Sequence, residues 1–542
     1  MKRIIQQQPS GSFDIIIVGG GITGAALAYE ASSAGLRVAL FEKSDFGGAT
    51  SSATSKLIHG GLRYLKNLEL GLVRESLKER KTLSNIAPNF IYPVPFMIPT
   101  YKDSKSGKVV LGMGMVMYDL LGFDKKSTND PSKKIPNFRS LSKQETRSLE
   151  HIVPTKNLTG SLIFYDYQNI FPERLTLAFL KSAEANGAAL SNYAEVTGFV
   201  KKDEKINGVE VWDKIQNNTA TYTAPLVVNC TGPWADRTIQ RASQEETHHS
   251  IRRSEGIHIL TRKLSANHAV SQVTKNERHI MVIPWRNHAL IGTTDKEYLG
   301  DPDDYRVTKE SILELLRDVN ENYAVALEYE DVAFYYGGLR PLADTETENS
   351  YESSRKYEIF DNADEGLDGL ITAEGGKYTT SRQLAETVME LIKKKTGKEL
   401  PESNTSHRFL SGCEIPDMDA FLENLAHDHP DFSSETVSFL GKNYGTEAQR
   451  LFEMARKHPN LAEVLNSDGE ILAEVVYAVE QESALFLDDV LFRRTGLGGL
   501  GHPGKEVLEK IAYTMKELLH WDRKTVHEQI EKAEQRFALP QD

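Results

Sequence analysis

The amino-acid sequence predicts an α/β fold, a parallel sheet followed by a separate helical domain, and three observations support this. The segment 14–18 is a run of mainly β-branched residues that leads into a glycine-rich turn, as buried parallel strands do. Two later segments, 225–230 and 369–373, are also strand-like and also run into turns that contain glycine. From Pro401 onward, Leu, Glu, Lys and Ala recur with helical spacing, for example in 506–520. We therefore expect one sheet that is interrupted by insertions and followed by helices.

The beginning of the chain has the order strand, turn, helix, strand. The Ala-rich segment 25–34 permits a helix that Gly35 ends, and 37–42 is the second strand. The turn between strand and helix has the spacing G-x-G-x-x-G, formed by Gly19, Gly21 and Gly24. These glycines allow a tight turn, close approach of a pyrophosphate to the backbone, and close helix–strand packing. Glu42, at the end of the second strand, can accept hydrogen bonds from ribose hydroxyls, so we expect a dinucleotide without a 2′-phosphate.

A second polar segment follows this motif. Residues 50–55 are mostly Ser and Thr, and Lys56, His59, Arg63 and Tyr64 come after them. Small hydroxyls and exposed amides suit a pyrophosphate and the edge of a flavin ring, whereas a nicotinamide dehydrogenase does not need a second cradle. A loop rich in Ser and Thr can also be merely solvated. The basic and aromatic residues at its end favour a binding role.

Composition and charge exclude several classes of protein. Hydrophobic residues make up 39% and charged residues 26%, as in ordinary globular proteins. The net charge of −13 argues against nucleic-acid binding, because an acidic surface repels phosphate. The only cysteines, Cys230 and Cys413, cannot form a disulfide framework or a cysteine metal cluster and favour a reducing compartment. The polar segment 1–12 suggests no signal peptide, and the apolar runs 15–29 and 109–123 are too short to span a bilayer.

The segment 50–65, together with the glycine motif, resembles the FAD-dependent glycerol-3-phosphate dehydrogenases, which belong to the D-amino-acid-oxidase-like flavoproteins. Further motifs agree with this family in their order along the chain: 228–234, 283–285, 291–295, 338–342 and 374–380. Two C-terminal segments, 477–482 and 487–495, resemble the helical cap domain of the family. The resemblance extends from about residue 13 to about residue 533.

The resemblance implies a Rossmann-type FAD-binding domain with an inserted antiparallel-sheet substrate domain, plus a C-terminal all-helical domain. The FAD-binding domain is expected in three parts, 13–85, 166–240 and 346–400. The substrate domain is expected in two parts, 86–165 and 241–345, and the helical domain is expected at 401–542.

The resemblance also assigns site residues. The expected FAD-binding positions are Gly19, Gly21, Gly24, Glu42, Thr50, Ser51, Ser52, Lys56, Leu57, His59, Gly232, Gly376 and Thr379. The expected substrate-binding positions are Arg63, Tyr64, His258, Arg340, Arg355 and Lys377. Of these, His258, Arg340 and Lys377 are the expected catalytic residues, and no metal is expected.

The implied reaction oxidises the C2 alcohol of glycerol 3-phosphate to the ketone of dihydroxyacetone phosphate, with hydride transfer to FAD. A phosphorylated triol brings about two negative charges, which suit arginine and lysine. His258 has the ordinary pKa that suits a general base, although a histidine on a strand can equally be structural. Arg340 is placed to stabilise the developing alkoxide.

The electron acceptor is expected to be membrane quinone, although oxidases of the same family use oxygen. Between Lys102 and Lys134, seven lysines and four aspartates give a net charge of +3, and the apolar run 109–118 lies among them. This pattern fits peripheral binding to an anionic membrane surface, or equally a core helix with solvated lysines. No long insertion of the kind found in some family oxidases is visible, which favours quinone. We therefore expect a cytoplasmic protein on the inner face of the cell membrane, with a homodimer possible.

Two other interpretations remain open. A flavin amine or 2-hydroxy-acid oxidase explains the glycine motif but not the matched arginines and lysines. A flavin- or nucleotide-binding regulator without turnover would have lost the constellation of His258, Arg340 and Lys377, all of which are present.

Overall fold

The computed structural model describes residues 1–7, 10–103, 107–243, 251–274, 278–342 and 357–541. The strands among them are β1 (Ser10–Ser12), β2 (Ile15–Val18), β3 (Val38–Phe41), β4 (Leu57–Ile58), β5 (Ile91–Tyr101), β6 (Arg139–Ser142), β7 (Leu158–Asn169), β8 (Ala189–Ser191), β9 (Ala194–Lys202), β10 (Lys205–Asp213), β11 (Asn218–Thr223), β12 (Val227–Asn229), β13 (Arg252–Arg262), β14 (Ala269–Val273), β15 (His279–Trp285), β16 (His288–Gly292), β17 (Lys296–Tyr298), β18 (Phe334–Leu342), β19 (Tyr357–Asp361) and β20 (Leu370–Gly375). The α-helices are α1 (Ile4–Gln7), α2 (Ile22–Ser33), α3 (Leu70–Ile86), α4 (Lys108–Leu121), α5 (Lys143–Leu149), α6 (Pro172–Ala185), α7 (Ala235–Ser243), α8 (Lys309–Asn322), α9 (Ser381–Thr396), α10 (Met418–Asp428), α11 (Ser434–Tyr444), α12 (Ala448–Lys457), α13 (Ala473–Glu482), α14 (Leu487–Asp489), α15 (Lys505–Leu519) and α16 (Arg523–Phe537).

The dinucleotide-type sheet has the strand order β19-β20-β12-β2-β3-β8. Its strands are parallel except for the antiparallel edge strand β19. The Ile and Val side chains of β2 are buried on both faces, as expected for an inner parallel strand. The predicted strands 14–18, 37–42, 225–230 and 369–373 are confirmed as β2, β3, β12 and β20. Segments distant in the chain thus form one sheet, and ligands of such sheets bind at the carboxyl ends of the strands.

The second large sheet is mostly antiparallel and contains ten strands. Its order is β17-β13-β16-β15-β14-β5-β7-β4, with β18 paired to β13 and β6 paired to β7. The pairing of β14 with β5 is parallel. This sheet draws on both chain segments in which the inserted antiparallel domain was expected, and β7 continues beyond residue 165 to Asn169. A small sheet of order β1-β11-β10-β9 lies next to the dinucleotide-type sheet.

The C-terminal part is helical, as predicted, and the segment 506–520 is confirmed as α15. Its buried side chains do not form a separate core. Tyr444, Leu487 and Leu508 belong to the same apolar cluster as Ile17 and Phe179 of the dinucleotide-type domain. The helical domain is therefore packed as a continuation of the main core rather than as an independent body.

Helix α4 differs from one of the two expectations for the apolar run 109–118, which it contains together with the residues up to Leu121. Among its residues only Met115 and Tyr118 are buried. Seven apolar side chains of the segment 109–123 are each at least 43% exposed: Val109, Val110, Met113, Val116, Met117, Leu120 and Phe123. The expectation of a core helix is therefore wrong, because this helix presents most of its apolar surface outward.

The turn Leu62–Asn67 and α3 pack next to α4 and extend the same surface. Leu68 and Leu70, at the end of this turn and the start of α3, are also exposed. We call the seven apolar side chains of the α4 segment, together with these two leucines, the apolar face. None of the helices in the described ranges is both long and apolar enough to span a membrane.

Candidate active site

The glycine turn after β2 is shaped for a phosphate group. Gly19 has φ +105°, and a Cβ on it would lie 2.6 Å from the carbonyl oxygen of Cys230. A Cβ on Gly24 would lie 1.9 Å from the carbonyl oxygen of Gly19, so this third glycine allows α2 to pack against the turn. Gly21 precedes α2, and the first residues of the helix, Ile22 and Thr23, line the cavity described below, so the N-terminus of the helix faces this cavity. The Ile22 amide donates to Ser51 Oγ at 2.9 Å. Such a terminus attracts anions through its amides and its dipole.

Glu42 closes one end of this cradle. Its carboxylate accepts hydrogen bonds from the Gly20 amide at 2.7 Å, from the Ser44 amide at 2.8 Å and from the Ser44 hydroxyl at 2.9 Å. Because a carboxylate has about four lone-pair positions, it can still accept a hydrogen bond from a ribose hydroxyl. The glycine turn and the second strand thus meet at Glu42, as the sequence motif predicted.

One cavity of about 2270 Å³ extends from this cradle to the antiparallel sheet. It is larger than the roughly 300–1000 Å³ of most ligand pockets. It therefore has room for a dinucleotide and a small substrate. Its lining includes most of the expected FAD-binding residues: Gly19, Gly21, Glu42, Thr50, Ser51, Ser52, Leu57, His59, Gly232, Gly376 and Thr379. The glycine cradle, the helix terminus that faces the cavity and this volume fit FAD.

His258 lies on β13 at the wall of the cavity. Its Nε2 atom is 2.8 Å from Ser55 Oγ, and its ring stacks on Tyr336 with 5.1 Å between centroids. Within the described residues its Nδ1 atom has no hydrogen-bond partner. Burial, and then the nearby Arg340, lower the pKa of His258 to about 3. The imidazole is therefore uncharged at neutral pH and able to accept a proton.

Arg340 lies on β18, which pairs with β13. Its Nη2 atom donates a hydrogen bond to Thr293 Oγ1 at 2.5 Å, and its Nη1 atom donates to the Thr294 carbonyl at 3.2 Å. A carboxylate oxygen of Asp295 is 4.0 Å from Nη1. The guanidinium crosses Gly256, where a Cβ would lie only 1.9 Å from Nη2. Backbone without a side chain at Gly256 is thus required for this position of Arg340.

Lys377 and Arg63 both contact Tyr64. The Lys377 ammonium is 4.6 Å from the centre of the Tyr64 ring and donates to Ser76 Oγ. The Arg63 Nη2 atom donates a hydrogen bond to Tyr64 Oη at 3.2 Å. Burial lowers the pKa of Lys377 to about 8; Glu75 opposes this shift and Arg63 adds to it. Two cations therefore lie together at one end of the cavity, where they can bind a dianionic group.

All predicted substrate residues within the described ranges line this one cavity: Arg63, Tyr64, His258, Arg340 and Lys377. The remaining one, Arg355, lies outside the described residues. No group of His, Cys, Asp and Glu side chains in the described ranges is arranged as a metal site.

The structure corrects one predicted FAD-binding residue and refines another. The Lys56 side chain is buried outside the cavity lining; its ammonium lies 3.1 Å from Glu173 and 4.7 Å from the centre of the Trp285 ring. The ion pair with Glu173 draws Lys56 away from the cofactor site. Gly24 also does not line the cavity, and it acts through helix packing instead.

Sequence reasoning missed the groups that hold the catalytic candidates in place. Ser55, Thr293 and Tyr336 are the partners of His258 and Arg340, and none was assigned a role from the sequence. Ser55 and Thr293 both belong to motifs that supported the family resemblance. The available signal was their presence in those motifs, which does not reveal the side chain that each one contacts.

Comparisons with known proteins agree with this site. Residues 14–382 match the family described as FAD dependent oxidoreductase, and residues 403–526 match the C-terminal domain of alpha-glycerophosphate oxidase. The chain is 32% identical over 537 residues to the glycerol-3-phosphate dehydrogenase of Synechocystis sp., with 96% of this chain and 95% of that protein covered. It is 33% identical over 509 residues to the aerobic glycerol-3-phosphate dehydrogenase of Staphylococcus aureus, with 91% and 88% covered.

A solved structure is similar over nearly the whole chain. It is the glycerol-3-phosphate dehydrogenase of Bacillus halodurans in complex with FAD, with a TM-score of 0.78 and 26% sequence identity. The similarity covers 97% of this chain and 94% of that one. The likeness therefore includes both the sheet domains and the C-terminal helices.

Proposed function

The chain belongs to the family of FAD-dependent glycerol-3-phosphate dehydrogenases, and we propose that it oxidises sn-glycerol 3-phosphate to dihydroxyacetone phosphate and passes the electrons to membrane quinone. One observation carries the proposal. The cavity that continues from the dinucleotide cradle brings an uncharged histidine together with Arg63, Arg340 and Lys377. Relatives that cover almost the whole chain bear the name of this activity.

FAD, when bound, supplies the acceptor for the hydrogen and the electron pair removed from C2 of the substrate. The residues that would hold the cofactor are Gly19 and Gly21 for the pyrophosphate, Glu42 for the ribose, and the small residues Thr50 and Ser51 beside them. The remaining tasks of the protein are to bind the substrate, orient it and remove a proton.

The phosphate group of the substrate is bound by Arg63 and Lys377. A phosphate monoester carries close to two negative charges at neutral pH, and the two cations both contact one ring. Both side chains are half-buried, which reduces the screening of the attraction by water. Binding at this end leaves the carbon chain directed into the cavity toward His258 and Arg340.

His258 accepts the proton of the C2 hydroxyl. Its lowered pKa keeps the imidazole unprotonated at neutral pH, and it also makes His258 a weaker base than an ordinary histidine. Its hydrogen bond to Ser55 and its stacking on Tyr336 fix the plane of the ring. Arg340 stabilises the oxygen as negative charge develops on it. Thr293 and Thr294 hold the guanidinium, so it requires little rearrangement during the reaction.

The apolar face is the surface that we assign to the inner face of the cell membrane. Exposed lysines flank it at Lys66, Lys102 and Lys126, which suits an anionic lipid surface. On the same helix, Val110, Leu111 and Met115 line the cavity. An apolar acceptor such as quinone would therefore reach the cavity from the lipid.

A glycerol-3-phosphate oxidase that uses oxygen is the second candidate. The match of residues 403–526 to the C-terminal domain of alpha-glycerophosphate oxidase favours it. The two functions share the same substrate chemistry and differ only in how the electrons leave.

Anaerobic mixing of the purified protein with glycerol 3-phosphate tests the proposal. We expect the flavin absorbance near about 450 nm to bleach, and to recover faster with a quinone analogue than with air. Fast recovery in air would support the oxidase. No bleaching of the bound flavin would overturn the substrate assignment and favour the amine or hydroxy-acid oxidases.

A further inference from the structure

The loop 42–48, which follows β3, has one side on the cofactor cavity and one side inside the protein. Its residues Glu42, Lys43, Ser44, Gly47 and Gly48 line the cavity, whereas Asp45 and Phe46 are turned inward and buried. Hydrogen bonds join the loop to the glycine turn both before and after the buried residues Asp45 and Phe46. The Gly20 amide donates to Glu42, and the Gly47 amide donates to the Gly20 carbonyl at 3.0 Å. The position of Asp45 therefore helps to set the shape of the cofactor cradle.

Two consecutive arginines of the C-terminal domain bind Asp45. Arg494 donates from Nη1 and Nη2 to the two oxygens of Asp45, at 2.7 and 2.8 Å. Arg493 donates to the same carboxylate from Nε. Asn192 adds a hydrogen bond of 3.0 Å. The carboxylate is thus surrounded by donors, two of which are charged.

The arginines reach Asp45 because of a π turn at Val490–Arg494. The Thr495 amide donates to the Val490 carbonyl at 2.9 Å, which is the wider spacing of a π turn and brings both guanidinium groups to one carboxylate. Each arginine is also held within its own domain. Arg494 donates twice to the Glu482 carbonyl, and Arg493 pairs with Asp489.

This cluster contains two acids and two arginines, all buried, so its charges balance. Although burial opposes ionisation, the two guanidinium groups hold the pKa of Asp45 well below its usual range. A buried pair with several hydrogen bonds tolerates little change of position, and removal of one partner leaves an uncompensated charge. Such a contact fixes geometry more than it adds stability.

We infer that the C-terminal helical domain holds the FAD cradle closed, with Arg493 and Arg494 acting through Asp45 as positioning residues for the loop 42–48. The inference gives this domain a role in cofactor retention. It requires only that the chain binds FAD, and not that the substrate or the acceptor proposed above is correct.

The rate of FAD release from the full-length holoenzyme tests this inference. Free flavin fluoresces more strongly than bound flavin in most flavoproteins, so release can be followed as a rise in fluorescence after dilution. Arg494→Lys keeps the positive charge at position 494 but loses the bidentate hydrogen bonding to Asp45. Asp45→Asn removes the negative charge of the carboxylate. We expect each variant to release FAD at least about tenfold faster than the unchanged protein.

Arg286→Lys is the matched control. Arg286 joins the substrate domain to the same C-terminal domain through pairs with the half-buried Asp468 and the buried Glu470, and it donates to the Gly496 carbonyl, two residues after Arg494, at 2.9 Å. It therefore holds the same segment without contacting Asp45 or the loop 42–48. We expect this variant to release FAD within about twofold of the unchanged rate.

Equal release from folded Arg494→Lys and the unchanged protein would overturn the inference. Release from Arg286→Lys as fast as from Arg494→Lys would overturn it too, because the effect would then reflect general loosening. If Asp45→Asn does not fold, the rate of FAD release from Arg494→Lys by itself tests the inference.

Discussion

At the scale of single residues, the site depends on glycines that lie beneath its two reactive side chains. His258 is paired across the sheet with Gly292, where a Cβ would lie 2.4 Å from the imidazole ring. Arg340 crosses Gly256 in the same way. These two positions allow large side chains to lie flat against neighbouring strands, which brings them within reach of one substrate.

Ser55 is the residue whose change tests the position of His258. Ser55→Ala removes the hydrogen bond to Nε2, so the imidazole can rotate within its own plane. The stacking on Tyr336 remains and keeps the ring at the same position in the cavity wall. We expect kcat for glycerol 3-phosphate to fall about tenfold with KM within about twofold, since proton removal by a positioned base is worth about 10²–10⁴-fold in rate. Steady-state kinetics with a dye acceptor measures both quantities, and Ser55→Thr should restore most of the rate.

Ser148→Ala is the control for this prediction. The Ser148 hydroxyl also makes a hydrogen bond, to the Glu145 carbonyl at 2.9 Å, but Ser148 lies on α5 outside the cavity lining. We expect its kcat to stay close to the unchanged value. An unchanged kcat in Ser55→Ala would show that the hydrogen bond does not position the base.

The pKa of Lys377 predicts how kcat/KM depends on pH. Its pKa is lowered to about 8, so the side chain is charged below this pH and neutral above it. The substrate phosphate is already a dianion there, since its second pKa is about 6. We expect kcat/KM, which reports the free enzyme, to fall as pH rises through about 8.

Lys377→Arg separates this effect from others. Arginine stays charged throughout this range, so the fall in kcat/KM near pH 8 should disappear in the variant. A fall at the same pH in both proteins would assign it to a different group.

At the scale of elements, the two sides of α4 have different roles. Its buried Tyr118 donates to Asp166, which also accepts hydrogen bonds from Arg80 and from the Gly60 amide. The opposite side of the helix carries the apolar face. A polar network thus anchors α4 near the cavity and leaves its apolar side chains outside.

Val116→Ser tests the apolar face. Val116 is 46% exposed on α4, and placing a valine in lipid is worth about 1.5–3 kcal/mol. We expect the affinity for vesicles of phosphatidylglycerol and phosphatidylcholine in equal parts to fall about tenfold, measured by co-sedimentation. Val464→Ser is the matched control, because Val464 is 52% exposed but lies in the C-terminal domain, outside this face.

If the unchanged protein does not bind the vesicles and is instead a dimer that Val116→Ser dissociates, a second copy of the chain covers this face. Sedimentation equilibrium without lipid distinguishes these outcomes. Equal vesicle binding by Val116→Ser and Val464→Ser would show that α4 is not the docking element.

At the scale of the whole molecule, buried ion pairs join the C-terminal domain to the sheet domains. Glu482 pairs with Arg174 and Lys181 of α6, and is completely buried. Glu482→Gln leaves the buried Arg174 without its carboxylate, while Lys181 keeps its pair with Glu447, so we expect unfolding to cost about 3–5 kcal/mol less. The thermal unfolding midpoint of the holoenzyme at pH 7 measures this loss.

The same pair predicts a dependence on pH. Burial opposes ionisation of Glu482, but Arg174 and Lys181 lower its pKa to about 2. A lowered folded-state pKa stabilises the protein above the ordinary pKa of about 4.5 and loses this effect as pH falls toward 2. The difference between Glu482→Gln and the unchanged protein should therefore narrow below about pH 4.5.

Glu463→Gln, which removes an exposed pair with Lys510, is the control and should change the midpoint little. A difference for Glu482→Gln that stays constant as the pH is lowered would mean that ionisation of Glu482 does not stabilise the assembly.

The sequence by itself determined the dinucleotide cradle, the strands of the parallel sheet and the helical C-terminal domain. These features depend on neighbouring residues: Gly19, Gly21 and Gly24 act within one turn, and β2 is recognised from its own side chains. Contacts within a short segment leave a pattern in that segment, because the same few residues make them. The matched motifs added the family and the main candidates His258, Arg340 and Lys377.

Only the tertiary structure decided which partners these residues have. It shows that Ser55 contacts His258, that Lys56 forms an ion pair with Glu173, and that Asp45 binds Arg494, which is about 450 positions away in the chain. It also decided that the apolar surface of α4 faces outward. A helix with apolar residues on most of its surface does not specify which side is covered, and a charged side chain does not specify its partner. Those choices depend on packing between distant segments, which no local pattern records.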